Sequence, residues 1–121
     1  MDFTREFQPR QIVCLEHEGT RLYAEVIQVV ESRLVCWVRP LVLVEFSECN
    51  YPSFETPLYD LRASADLLWP LTLFRCALDT EVMPILVELL AWEPQPDSDP
   101  VARQQLNQFI HQVWHERRGA F

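Results

Sequence analysis

His111-Gln-Val-Trp-His115 places two imidazoles four residues apart, one helical turn, so that both face the same way and could share a metal ion. The spacing is that of the zinc motif H-E-x-x-H, but Gln112 stands where the general-base glutamate belongs and Glu116 is displaced from that role. Without that carboxylate nothing activates a metal-bound water, and no downstream third ligand is expected after His115. The pair therefore reads as two solvated histidines on a polar helix face, with no metal and no cofactor assigned. His17, between Glu16 and Glu18, resembles an oriented base and equally a polar strand end. Cys14, Cys36, Cys49 and Cys76 stand singly, without the C-x-x-C pairing of metal or redox sites, and read as buried, reduced thiols. A Cys-His nucleophile would require one of them exposed and activated.

Composition excludes more chemistry than the motifs admit. Gly19 and Gly119 are the only glycines, which rules out the P-loop, the dinucleotide fingerprint, the nucleophile elbow and the kinase glycine loop. The ten basic residues are all arginine, so there is neither a Schiff-base nor a phosphate-binding lysine. The reading is a protein that is not an enzyme. Eighteen carboxylates against ten arginines give a net charge of -8, which repels a nucleic-acid backbone and favours a basic patch on another protein. No apolar run approaches the roughly 20 residues of a membrane span, and the first residues lack the basic and apolar regions of a signal peptide. A cytoplasmic protein is expected, as one domain over 121 residues.

The elements that must position these residues divide into a β-rich front, 1–77, and a helical appendage, 78–121. Gln11–His17 reads as a strand, Glu18-Gly19-Thr20 as a tight turn using positive φ at glycine, and Arg21–Val30 as the returning strand. Glu31-Ser32-Arg33 turns the chain into Arg33–Phe46, nearly continuously apolar, as in a strand covered on both faces, with Pro40 marking a bulge. After a proline-punctuated loop, Cys49–Pro57, come short strands at Leu58–Arg62 and Asp66–Trp69. The fold class expected is α+β: a small SH3-like or Tudor-like antiparallel β-barrel followed by two C-terminal helices. The first helix starts at Asp79-Thr80-Glu81 and continues through Val82–Ala91, with Pro84 early enough to be tolerated. Residues 92–99 form an acidic, proline-rich linker. Asp99 caps the second helix, Pro100 opens it, Arg117 and Arg118 complement its end, and Gly119 stops it. Ala102, Leu106, Phe109, Ile110, Val113 and Trp114 share its apolar face.

Aromatic and arginine side chains at the element junctions supply the candidate partner-binding residues: Trp69, Phe74, Arg75 and Trp92. Arg39, inside an apolar strand, requires a carboxylate, and the structural ion pair expected is Arg39 with Asp60, Glu25 and Asp66 being the other carboxylates considered.

Leu22-Tyr-Ala-Glu-Val-Ile, Cys36-Trp-Val-Arg-Pro-Leu, Asp60-Leu-Arg through Leu73-Phe-Arg75, and Leu78-Asp-Thr-Glu81 make the chain resemble short uncharacterised proteins of cyanobacteria. The resemblance implies a soluble factor, a regulator or assembly helper of photosynthetic or RNA-processing machinery, and assigns no residue a role. The function expected from the residues is a non-catalytic module, monomer or homodimer, that binds a basic surface of another protein. The alternative is a regulator that binds a small molecule or a metal.

Overall fold

A computed structural model describes residues 7–45, 58–92 and 99–118. The first hairpin joins β1 (Ile12–His17) to β2 (Thr20–Val30) in antiparallel register, with Leu15 opposite Leu22 and His17 opposite Thr20. Its two turn residues are both left-handed, Glu18 at φ 47° and Gly19 at 79°, so the glycine is used where the sequence requires it and a glutamate shares the conformation. A 3₁₀ turn at Glu31–Arg33, ended by Leu34 at φ 54°, returns the chain into β3 (Val35–Glu45).

Two irregularities in the β2–β3 ladder decide which side chains meet. Ala24 pairs with Pro40 while Tyr23 pairs with Val42, leaving Leu41 as the extra residue beside the proline. Val26 pairs with Val38 while Gln28 pairs with Trp37, leaving Ile27 extra. Each bulge shifts the alternation by one residue. Cys36 and Val38 therefore join the same core as Leu43, and Val26 the same core as Val29. The bulge expected at Pro40 is present. β3 is covered on both faces only from Pro40 to Val44; before that, Trp37 and Arg39 are exposed, and neither described helix packs on them.

β4 (Leu58–Asp60) pairs with the second half of β3, and β5 (Leu67–Pro70) with the first half. A 3₁₀ turn at Leu71–Leu73 leads to β6 (Arg75–Cys76), which pairs with β1. The strand order is β4-β3-β2-β1-β6 with β5 also on β3, and the sheet is not closed. It is mostly antiparallel and is followed by two helices, an α+β arrangement.

The helices cover opposite faces of this sheet. α1 (Asp79–Leu90) sends Val82, Ile85 and Leu89 against Cys14, Tyr23, Val42 and Val44. α2 (Pro100–Glu116) sends Ala102, Leu106, Phe109 and Val113 against Val13, Leu15, Leu22, Ala24 and Leu43. The three larger α2 residues, all at most 5% exposed, each contribute roughly 2 kcal/mol of burial. The N-terminus of α2 is as expected: Asp99 accepts from the Val101 N–H at 3.0 Å, and Pro100 opens the helix. Trp114 departs from the buried face and is 47% exposed, because it lies one step round the helix from Val113, which takes the central position. Arg117 donates to the Glu16 carbonyl at 2.9 Å and ties the end of α2 to β1. Gly119, the whole Cys49–Pro57 loop and 93–98 of the linker lie outside the described residues.

Candidate functional site

The junction residues divide by burial. Phe74 is fully buried and Trp69 nearly so, both in the core beneath α2, so neither is an exposed anchor; the seam between strands and helix needs their volume. Trp92 is half-buried, packs on the α1 side of the sheet, and its carbonyl accepts from Arg62 at 3.3 Å. Arg75 is spent on an internal network. The expected Arg39–Asp60 pair does not form: Asp60 accepts both Nε and Nη2 of Arg62, at 3.0 and 2.8 Å, a fork it meets two residues away. Those bonds overcome the effect of burial and lower the Asp60 pKa. Arg39 is half exposed and bonds Asp66 at 3.4 Å, so it carries no buried charge. Asp66 also accepts the Trp37 indole N–H at 2.9 Å.

A polar cluster that sequence reasoning missed lies where α1 meets the sheet. Glu81 accepts from Arg75 at 2.6 and 3.1 Å, from Arg21 at 3.3 Å, from the Tyr23 hydroxyl at 3.1 Å and from the Leu78 N–H at 2.7 Å. Glu16 pairs with the same two arginines, at 3.2 Å to Arg21 and 3.4 Å to Arg75. Burial acts to raise the Glu81 pKa, but the bonds from Arg75, Leu78 and Tyr23 outweigh it and hold the carboxyl at about 2. Burial raises the Tyr23 pKa, and it pushes the neighbouring Cys14 thiol up to about 12 despite the opposing charge of Arg75. A tightly held carboxylate, two guanidiniums committed to it and a buried thiol form a clasp that joins α1 to the sheet. The signal in the sequence was Glu16 facing Arg21 across the Glu18-Gly19 turn.

His111 and His115 are exposed on α2, and among the described residues no group of three or more His, Cys, Asp or Glu could hold a metal ion. His17 is buried edge-on to Phe109, with ring centroids 6.4 Å apart, and its Nε2 lies 3.9 Å from Glu18. Cys14 and Cys36 are buried and Cys76 is exposed.

No family model, curated protein or solved structure matches this chain.

Among the described residues, exposed apolar side chains group in two places in particular. Beside β5, Leu68, Trp69, Ile110, His111 and Trp114 line a groove of about 380 Å³, extended by a shallower one of about 180 Å³ at Trp37, Asp66, Leu67 and Leu68. On α1, Met83, Val87 and Leu90 are 54%, 63% and 73% exposed at i, i+4 and i+7, one continuous stripe facing away from the sheet. An amphipathic surface helix would be polar there. Asp79 heads the stripe, and Glu88 lies about 100° round the helix from Val87; both are exposed. From Asp79 to Ala102 the chain carries Asp79, Glu81, Glu88, Glu93, Asp97 and Asp99 and no cationic residue. The excess of apolar residues in Val82–Ala91 was visible in the sequence, but it indicated only that one side packs on the sheet.

Proposed function

We propose that the protein is a non-catalytic interaction module, a regulator or assembly factor that docks a basic surface of another protein. The observation that carries this reading is that α1 is apolar on both sides: Val82, Ile85 and Leu89 serve the core, and Met83, Val87 and Leu90 serve nothing within the chain's described residues. Covering those three side chains is worth about 4 kcal/mol of transfer free energy, near the lower end of the cost of association, so apolar contact alone gives weak binding. The net charge of -8, with Asp79 exposed at the head of the stripe, supplies the remainder and sets the sign of the partner.

The body that presents this helix is a small SH3-like barrel left open on one side. Supporting this are the order β6-β1-β2-β3-β5, the 3₁₀ turn joining β5 to β6, and the two bulges that bend the long strands. The resemblance to cyanobacterial proteins extends the reading to a cytoplasmic factor of photosynthetic or RNA-processing machinery, acting as monomer or homodimer. No helix among the described residues is long and apolar enough to cross a membrane.

Tagged protein incubated with native lysate at low salt is expected to recover a stoichiometric partner that high salt releases. Recovery of none at low salt rejects this reading. The groove of about 380 Å³ beside β5 favours a second reading, a small-ligand regulator, since it lies within the size range of ligand sites. Metabolites or zinc bound by the folded state would raise the melting temperature, and a screen with no shift removes that reading.

A further inference from the structure

We infer that the exposed stripe of α1 receives an amphipathic helix whose apolar ridge is flanked by lysine or arginine. This rests on the docking reading above and names its occupant. Met83, Val87 and Leu90 form a ridge spaced at three and four residues, about 10 Å long, which fits between the ridges of another helix. An extended strand gains nothing here, because the backbone donors and acceptors of α1 are satisfied within the helix and only side chains are offered.

Charge decides among the remaining occupants. A second copy laid antiparallel on α1 sets one cation-free helix headed by Asp79 against another, between molecules that each carry a net charge of -8. An anionic lipid surface meets the same repulsion. The nearest arginines on the α1 side of the sheet do not reverse this, because Arg21 and Arg75 are paired with Glu16 and Glu81, and Arg62 with Asp60. A basic-flanked helix meets the Asp79 carboxylate at the head of the ridge, in a molecule of net charge -8, while burying the ridge.

Only Met1 and Met83 carry methionine methyl groups, so ¹³C-methyl labelling places one reporter directly on the stripe. The probes are a synthetic 14-residue leucine–lysine amphipathic helix and its leucine–glutamate counterpart, titrated into the full-length protein. The leucine–lysine peptide is expected to shift the Met83 methyl saturably, more weakly as salt rises, and the leucine–glutamate peptide to leave it unmoved. Val87→Glu is expected to reduce affinity by about tenfold or more. Val87 is exposed, so the fold should survive, and Leu90→Glu provides a second variant at a still more exposed position. An unmoved Met83 methyl, equal binding of both peptides, or binding unaffected by both variants overturns the inference. So does a Met83 signal that changes with protein concentration alone and is restored by Val87→Glu, the mark of a second copy. If the lysate partner is recovered equally by Val87→Glu, this inference fails and the docking reading stands; if no partner is recovered at all, the docking reading fails.

Discussion

Glu81 serves two elements at once, and its removal should show in both. It receives the Leu78 N–H that opens α1 and holds Arg21, Arg75 and the Tyr23 hydroxyl at the sheet. Glu81→Gln leaves two guanidiniums short of a counter-charge in a site that is only 12% exposed at the glutamate, and is expected to cost about 2 kcal/mol in urea denaturation. The pH dependence has a definite sign. The folded carboxyl titrates at about 2 and the unfolded one near its ordinary 4.5, so between these values the unfolded chain binds more protons. The stability Glu81 contributes is complete above pH 5 and is lost as pH falls toward 2. The difference between wild type and Glu81→Gln should therefore be constant above pH 5 and shrink below it; a difference that widens on acidification contradicts the network. Thiol chemistry gives an independent check. Burial pushes Cys14 up to about 12 and Cys36 to about 11, whereas Cys76 is exposed. Iodoacetamide at pH 8, followed by peptide mass mapping, should label Cys76 at least tenfold faster than Cys14 or Cys36 until denaturant is added.

Elements with strong local signals were readable from the chain, and those held only by tertiary contacts were not. β1, β2 and β3 lie within two residues of their expected bounds because alternation, the Glu18-Gly19 turn and Pro40 all act over short range. Both helix starts were legible for the same reason: Asp99 with Pro100, and Glu81 three residues after Leu78, are local hydrogen-bond chemistry. β6 was missed because two residues, Arg75 and Cys76, have no period to detect and become a strand only by pairing with β1. The burial of Trp69 and Phe74 was not legible for a related reason, since it depends on where α2 folds, which no local pattern reports. Two substitutions separate local from tertiary support within α2. Asp99→Ala removes the cap and is expected to cost about 1 kcal/mol. Phe109→Ala opens a cavity in the core beneath α2, beside His17, and is expected to cost about 3 kcal/mol or more, read by thermal denaturation; equal costs would mean that α2 is held by its own ends rather than by the core.

At the scale of the whole molecule the open sheet depends on both helices, because each covers one face and neither face can meet water alone. Ending the chain before Asp99 strips Val13, Leu15, Leu22 and Leu43 of their cover, and the shortened protein is expected to aggregate or to bind hydrophobic dyes more strongly than the full chain. The tie between Arg117 and the Glu16 carbonyl, across 101 positions, joins the last helix to the first strand. That tie has a consequence for synthesis. A ribosome that has just added Cys76 holds a nascent sheet with both faces bare, because α1 and α2, which cover them, have not yet been translated. The protein must therefore finish folding after translation of α2 instead of during it. Over that interval its exposure to aggregation is set by how fast the ribosome moves from Cys76 to Val113.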